Sequence, residues 1–304
     1  MEIANNQFFK RLFDPTDDRP LVIAELSGNH NKSFSRVMKL IEAAADCGVD
    51  AIKIQTYTAD TITINSNKLD FIINNPGSPW HKKTLYDLYA DAHTPWEWHE
   101  EIISYAEKLN LFWFSSPFDK TALNFLEKFN PQIYKIASPE IVDLELIKAC
   151  SQTEKGLIIS TGMASISEIH QAVETARKNG CKNLCLLKCT SGYPTSPNQM
   201  NLATINNLKS IFNCSVGLSD HTLGITVPIT SIACGAKVIE KHFTLSRKDG
   251  GPDSHFSLEP NEMKDLVNSV KVAYQAIGKV SYKIQEDEKP SLQGRRSLYI
   301  VKNI

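Results

Sequence analysis

The sequence predicts an α/β protein with a (β/α)8 (TIM) barrel. Eight short apolar runs alternate with amphipathic stretches, and eight strand–helix pairs over about 260 residues are typical of this barrel. The alternative is a doubly wound open sheet. However, neither the Gly-x-Gly-x-x-Gly fingerprint nor the Gly-Lys-Ser/Thr of a phosphate loop occurs in the 304 residues. We therefore favour the barrel.

The predicted strands and helices follow one another in order. The strands are expected at 21–26, 51–55, 112–114, 133–137, 157–160, 184–188, 215–218 and 238–241. The first intervening helix begins after Ser33, ends at Gly48 and carries on one face Val37, Leu40, Ile41 and Ala44. The last helix spans 260–278, with proline at its start and glycine at its end, as helix boundaries prefer.

Three segments depart from this alternation. The barrel is predicted to span residues 21–280. Residues 1–20 are predicted to be an N-terminal extension, and residues 281–304 are predicted to be a linker with the first residues of a further domain. Residues 295–301 are predicted to begin a new strand, and no later segment of the sequence could pair with it. We therefore expect the chain to be cut short at a domain boundary. Between 56 and 96, about 40 residues replace a short loop, which indicates a lid, an oligomer contact or a rim decoration.

Composition excludes several classes of partner. The net charge of −1 gives no basic field for nucleic acid or an anionic membrane. No run reaches the roughly 18 apolar residues needed to span a bilayer, and residues 1–20 lack the apolar core of a secretory signal. The seven cysteines are odd in number and form no Cys-x-x-Cys. These features predict a cytoplasmic protein.

Two histidines are the strongest candidates for metal ligands. His221 follows the seventh predicted strand and His242 follows the eighth, one βαβ unit later. Neighbouring parallel strands lie about 4.8 Å apart, so the two imidazoles can meet over one sheet edge. They could then hold a divalent metal with positions left open for substrate and water. The alternative is that each histidine packs locally.

Polar side chains also collect at the carboxyl ends of the other predicted strands, where a barrel places its active site. In chain order these are Glu25, Lys53, Gln55, Ser116, Lys135, Ser138, Glu140, Ser160, Lys188, Ser191, Tyr193 and Ser219. Lysines and hydroxyls suit an anion with several acceptor oxygens, such as a phosphate. Glu25 could act as general acid or base if its surroundings raise its pKa.

Two alternatives remain for the lysines. Lys53 could form a structural ion pair with Glu25 or Glu140. Lys135 or Lys188 could instead form a Schiff base, as in an aldolase. The aldolase chemistry gives the histidine pair no role, and the hydroxyl-rich surroundings favour a phosphate over a dry amine pocket.

Ten segments, in order along the chain, resemble the sialic acid synthase (NeuB-like) family. They are 23–25, 29–31, 53–57, 114–119, 134–138, 160–163, 189–194, 217–222, 240–243 and 251–253. Within the family, four segments resemble the pseudaminic acid synthases more than the N-acetylneuraminate or legionaminate synthases, namely 55–61, 84–89, 92–98 and 243–247.

The resemblance implies a metal-dependent transferase reaction that forms a carbon–carbon bond. Phosphoenolpyruvate condenses with an N-acetylated amino sugar in its open-chain aldehyde form. For the pseudaminate subgroup the sugar is 2,4-diacetamido-2,4,6-trideoxy-L-altrose, and the products are pseudaminic acid and phosphate. The metal implied is divalent, with Mn²⁺ favoured and Mg²⁺ or Co²⁺ as alternatives.

The resemblance also implies a role for each candidate residue. His221 and His242 match the metal ligands, and Glu25 matches the catalytic carboxylate. Residues that match the phosphoenolpyruvate site are Lys53, Ser116, Lys135, Ser138, Ser160 and Ser219. Residues that match groups near the sugar are Gln55, Glu140, Tyr193 and Asp253. Ser191 stands where sialate synthases have an asparagine that contacts phosphate, and Pro139 stands where pseudaminate synthases more often have an aromatic residue.

The family also has a C-terminal antifreeze-like (SAF) domain, which contributes an arginine to the sugar site of the partner subunit. Residues 295–297 resemble the entry to that domain, and we expect the rest of it to be truncated from this chain. The resemblance therefore implies a homodimer with swapped SAF domains in the full protein. Competing functions are the same reaction on another amino sugar, the Schiff-base aldolase, and a non-catalytic sugar- or phosphate-binding module.

Overall fold

The computed structural model describes residues 2–17, 19–78, 80–296 and 302. Within these residues, parallel strands β1 to β8 pair in sequence order and close a barrel. They are Leu21–Glu25, Ala51–Thr56, Phe112–Pro117, Ile133–Ile136, Gly156–Ser160, Leu184–Cys189, Ser215–Asp220 and Val238–His242. Each lies within two residues at either end of the run that predicted it, except that β3 extends three residues further. The predicted barrel is confirmed.

Helices pack around the outside of the barrel, and others lie at its two ends. Helices α1 to α11 are Glu2–Phe13, Phe34–Cys47, Ala59–Ile62, Leu85–Ala92, His99–Lys108, Lys120–Leu126, Leu144–Gln152, Ile166–Lys178, Thr204–Phe212, Thr226–Ala233 and Pro260–Ile277. The two helices predicted in detail, α2 and α11, are confirmed. The backbone N–H of Arg36 donates to the Ser33 hydroxyl to cap α2, and Gly48 ends it with φ 77°. No helix among the described residues is long and apolar enough to cross a membrane.

Helix α1 closes the amino-terminal end of the barrel. The rings of Phe8 and Phe112 stack with centroids 4.5 Å apart, and Leu12 is fully buried in the same apolar cluster. Phe112 begins β3, so this cluster fills the end of the barrel opposite the strands' carboxyl ends. The predicted extension of residues 1–20 therefore contains a helix that belongs to the barrel core.

The excursion, which we define as residues 57–95, is folded onto the carboxyl end of the barrel. It contains α3, α4 and a short 3₁₀ turn at Leu69–Phe71. The indole nitrogen of Trp80 donates to the carbonyl of Pro252 at 2.8 Å, which ties the excursion to the loop after β8. At its other side, Trp96 donates to the carbonyl of Tyr57 at 3.1 Å.

The segment after α11 is exposed from 278 to 296, as expected of a linker. It contains 3₁₀ turns at Glu286–Gly294, which the sequence did not predict. The strand predicted at 295–301 falls largely on residues 297–301, which lie outside the described residues.

Candidate active site

A cavity of about 270 Å³ lies at the carboxyl ends of the strands. This volume is close to the lower end of the range for small-molecule sites. Most of the predicted site residues line it: Lys53, Gln55, Lys135, Ser138, Glu140, Ser160, Tyr193, Ser219, His221, His242 and Asp253. Strands from different parts of the chain thus bring these side chains into one cavity, as the barrel topology predicts.

The two histidines meet on one side of this cavity. Their ring centroids are 5.3 Å apart, and the ring of Phe256 packs against both. The Nδ1 of His221 lies 3.1 Å from the carbonyl oxygen of Thr190. Because a carbonyl can only accept, that nitrogen carries a proton, so Nε2 is the nitrogen of His221 that could ligate a metal.

The second ring presents an unpaired nitrogen. The Nδ1 of His242 is buried and has no hydrogen-bond partner among the described residues. Burial and the positive charge on neighbouring groups hold the pKa of His242 well below its usual value, so the ring is neutral. A neutral imidazole with an unpaired buried nitrogen, close to a second free nitrogen, fits a divalent metal site.

The protein supplies few other ligands at this point. No group of three or more His, Cys, Asp or Glu side chains in the described parts of the chain is arranged to hold a metal by itself. Asp253 lies 3.8 Å from the Nδ1 of His242 through its Oδ2, and the Ser27 hydroxyl donates to the same oxygen. The pair of histidines therefore fits a metal with open positions rather than a closed structural site.

A buried cluster of two lysines and two glutamates forms the floor of the cavity. Lys53 Nζ lies 2.5 Å from Glu25 Oε2 and 3.8 Å from Glu240 Oε2. Lys135 Nζ lies 3.2 Å from Glu240 Oε1, and the Ser219 hydroxyl donates to that same oxygen at 2.9 Å. The structural ion pair considered for Lys53 and Glu25 is present, whereas none joins Lys53 to Glu140 among the described residues.

The two carboxyl groups of the cluster have pKa values shifted in opposite directions. Burial raises the pKa of Glu25 despite the nearby charge of Lys53. Burial also opposes ionisation of Glu240, but the charges of Lys135 and Lys53 outweigh it and lower the pKa of Glu240. Glu240 is therefore the fixed anion of the floor, and Glu25 is the carboxyl that holds a proton more readily. Gln55 donates to the Oε1 of Glu25 at 3.0 Å and orients it.

Several hydroxyls of the floor have no protein partner. The side-chain oxygens of Ser116 and Ser160 are buried and make no hydrogen bond within the residues described. Ser138 also lines the cavity, and its hydroxyl oxygen accepts from the backbone N–H of Gly162 at 3.1 Å. Buried donors without partners beside two lysines suit an anionic ligand with several oxygens.

Three predicted residues lie at the edge of this arrangement. Glu25 reaches the cavity through its contacts with Lys53 and Gln55. Ser116 is fully buried on β3, where it pairs in register with Gln55 of the cavity lining. Ser191 lines a neighbouring open cavity with Lys188 and Thr190. There the Lys188 amine donates to the carbonyl of Cys189 at 2.7 Å.

Glu240 lies at the centre of the buried cluster, although the sequence did not identify it as a candidate site residue. It contacts both lysines and Ser219, yet the sequence only placed it beside the histidines. The signal was present, because strand alternation puts residue 240 on the same face as His242. Ser27, Tyr57 and the excursion residues of the cavity lie outside the strands, so no strand periodicity could have indicated them.

Comparisons with known proteins agree with this geometry. The model of the NeuB family matches residues 40–282. The chain is 45% identical to the pseudaminic acid synthase of Campylobacter jejuni (serotype O:23/36, strain 81-176), over 95% of this chain and 84% of that protein. It is 36% identical to the N,N'-diacetyllegionaminic acid synthase of Campylobacter jejuni (serotype O:2), over 94% of this chain and 86% of that protein.

A solved structure supports the same relationship. The N-acetylneuraminic acid synthetase of Leptospira borgpetersenii, crystallised with citrate, superposes with a TM-score of 0.80 at 32% identity, covering 93% of each chain. A match to the family model over most of the chain, together with relatives of this identity and coverage, settles the assignment. The chain belongs to the NeuB family.

Proposed function

We propose that this protein is a pseudaminic acid synthase. In this reaction phosphoenolpyruvate condenses with 2,4-diacetamido-2,4,6-trideoxy-L-altrose to give pseudaminic acid and phosphate. The observation that carries the proposal is that two sites share one cavity: a pair of histidines stands beside a floor of lysines and unpaired serine hydroxyls. The higher identity to a pseudaminic acid synthase than to a legionaminic acid synthase supports the choice of sugar.

The floor supplies the anion site for phosphoenolpyruvate. Lys53 and Lys135 would neutralise phosphate and carboxylate oxygens, and Ser116, Ser138, Ser160 and Ser219 would donate hydrogen bonds to them. Glu240 holds both amines in place before the ligand arrives, because it contacts each of them. Gln55, Glu140, Tyr193 and Asp253 line the remaining part of the cavity, where the sugar would bind.

His221 and His242 would hold the divalent metal, for which we favour Mn²⁺. When bound, the metal polarises the aldehyde oxygen of the sugar so that the weakly nucleophilic methylene carbon of phosphoenolpyruvate can attack it. The residues of the floor position that carbon against the aldehyde, which supplies a large part of the rate by orientation.

Glu25 is proposed as the catalytic base. After the carbon–carbon bond forms, positive charge develops on the carbon that bears the phosphate, and a water must add there. The raised pKa of Glu25 makes it a suitable acceptor for the proton of that water. The resulting tetrahedral carbon then expels phosphate by cleavage of its C–O bond, and the ketone of the product forms.

The test is an assay of phosphate release by the full-length protein. Phosphoenolpyruvate and Mn²⁺ are held constant, and the sugar is the diacetamido-trideoxy-L-altrose, N-acetylmannosamine or the legionaminate precursor. The proposal expects phosphate release that requires the altrose sugar and stops with EDTA. Efficient release with either of the other sugars instead would reassign the enzyme within the family, and release with no sugar would refute a synthase.

A further inference from the structure

The cavity divides into a polar floor and an apolar side. The floor comes from the strand ends described above. The apolar side comes from the excursion together with Phe118. Tyr57 and Trp80 of the excursion also line the cavity, and beside them lie Ile62, Leu88, Tyr89, Ala92 and Phe118. We call these last five residues the carbon wall.

The carbon wall is anchored to the barrel at several points. The ring of Tyr57 makes edge contacts with Tyr89 and Phe118, with centroids 5.9 and 5.0 Å apart. A Cβ on Gly28 would lie 3.0 Å from the carbonyl oxygen of Ala92, so α4 packs directly on the backbone after β1. Trp80 ties the excursion to Pro252, which precedes the cavity residue Asp253 in sequence. The wall is thus a built surface of the cavity.

The position of the chemistry fixes which end of the sugar meets this wall. On the proposed function, the aldehyde must lie at the histidine pair and Glu25, on the floor. The far end of the open-chain sugar then extends away from the strand ends, toward the excursion. At that far end, C6 is a methyl group where an ordinary hexose has a hydroxymethyl group, and the nitrogen at C4 carries an acetyl group.

We propose that the carbon wall selects the 6-deoxy end of the sugar and is the specificity-determining surface of this enzyme. A methyl group gains apolar contact there, whereas a hydroxyl would lose its water and find mostly carbon atoms. Apolar pockets discriminate by about 10- to 200-fold per group of this size. The inference rests on the proposed function and assigns the excursion a role in choosing the substrate.

The test compares two sugars that differ by one oxygen atom. They are 2,4-diacetamido-2,4,6-trideoxy-L-altrose and its 6-hydroxy counterpart, each assayed with phosphoenolpyruvate and Mn²⁺ in the full chain. The readout is the ratio of the two kcat/KM values. The unmodified enzyme is expected to favour the 6-deoxy sugar at least about 10-fold.

Two variants place a hydroxyl on the wall. Ile62→Thr changes a half-buried residue and Leu88→Thr a buried one, so the first keeps the test valid if the second fails to fold. Each is expected to lower the ratio at least about threefold, while the affinity for phosphoenolpyruvate stays unchanged because that ligand lies on the floor. Leu69→Thr is the matched control, since Leu69 is 79% exposed within the same excursion. It should leave the ratio unaltered.

The outcomes separate the two claims. Turnover of the 6-deoxy sugar with a ratio that Ile62→Thr does not change would overturn the carbon wall and leave the proposed function standing. A kcat/KM ratio near one for the two sugars in the unmodified enzyme would likewise overturn the carbon wall and leave the proposed function standing. Turnover of neither sugar would refute the proposed function and this inference with it.

Discussion

Lys135 and Glu240 form a buried ion pair across the floor of the barrel, with the amine 3.2 Å from one carboxylate oxygen. The two residues are 105 positions apart in sequence, on β4 and β8. Glu240 also lies 3.8 Å from the Lys53 amine, so it holds two charged side chains that the proposed substrate would otherwise have to assemble.

Removal of one partner of this pair should be strongly destabilising. Glu240→Gln leaves Lys135 buried without its counter-ion, and Lys135→Met leaves Glu240 with less compensation. Each is expected to lower the free energy of unfolding by about 3–5 kcal/mol. Urea denaturation of both variants and of the double variant measures this. The double variant should lose clearly less than the sum of the two single losses, because the residues share one interaction.

An exposed pair provides the control for that cycle. Lys120 and Glu145 lie 3.7 Å apart with both side chains more than 60% exposed. Their coupling energy should be below about 1 kcal/mol. Strict additivity for Lys135 and Glu240 would show that the buried contact does not couple them.

The histidine pair should control metal affinity. His221→Ala and His242→Ala each remove one proposed ligand and should weaken Mn²⁺ binding by at least about 100-fold, more than is typical for loss of a mere supporting group. The free Mn²⁺ signal in electron paramagnetic resonance measures this without any turnover. His170→Ala, at an exposed helical position, is the control and should bind normally. Normal binding by both site variants would disprove the assignment.

Glu140 should make stability depend on pH. Burial raises the pKa of Glu140 from 4.5 to about 7, so its proton is held more tightly in the folded state than in the unfolded state. The contribution of Glu140 to the free energy of unfolding is complete below pH 4.5 and is lost as the pH rises through 7. The loss amounts to at most about 3 kcal/mol.

Glu140→Gln removes this titration and tests it directly. The free energy of unfolding of the variant, relative to the unmodified protein, should rise between pH 5 and pH 7.5 by about 2–3 kcal/mol. Denaturation series across that pH range supply the measurement. Parallel pH profiles for the two proteins would mean that Glu140 titrates normally in the folded state.

Gly28 should be required for the position of α4. An added Cβ would meet the carbonyl oxygen of Ala92 and a ring carbon of Pro252, both at 3.0 Å, so the helix and the loop have to move apart. Gly28→Ala is expected to raise the KM for the sugar about fivefold or more, the effect of displacing a positioning contact, with phosphoenolpyruvate affinity preserved.

Gly77, a glycine within the excursion, is the matched control. An added Cβ at Gly77 has as its nearest neighbour the Asn75 side chain at 3.4 Å, an ordinary contact. Gly77→Ala should therefore leave both substrates unaffected. Equal kinetics for the Gly28 and Gly77 variants would show that the contact between α4 and Gly28 does not shape the sugar site.

The barrel and most of its polar floor could be predicted because both follow from strand periodicity. Lys53, Lys135, Ser219 and His242 lie at or near the carboxyl ends of apolar runs, and a barrel directs such side chains into one cavity. These four residues line the cavity because the direction of each side chain follows from its position along the strand.

The parts that could not be predicted depend on long-range packing. Whether Phe8 fills the barrel depends on the ring of Phe112, which is more than 100 residues away. The route of the excursion depends on contacts such as Trp80 with Pro252. The role of Glu240 follows from its distances to Lys53 and Lys135. The sequence indicates which face of the strand Glu240 lies on, but not which residues it contacts.

The most direct test of the central claim follows the oxygen that joins carbon to phosphorus in phosphoenolpyruvate. The full-length protein is given Mn²⁺, the diacetamido-trideoxy-L-altrose sugar and phosphoenolpyruvate labelled with heavy oxygen at that bridging position, and both products are analysed by mass spectrometry. Condensation followed by C–O cleavage predicts pseudaminic acid without the label and phosphate that carries it. Unlabelled phosphate, or phosphate formed without a pseudaminic acid product, would contradict the account.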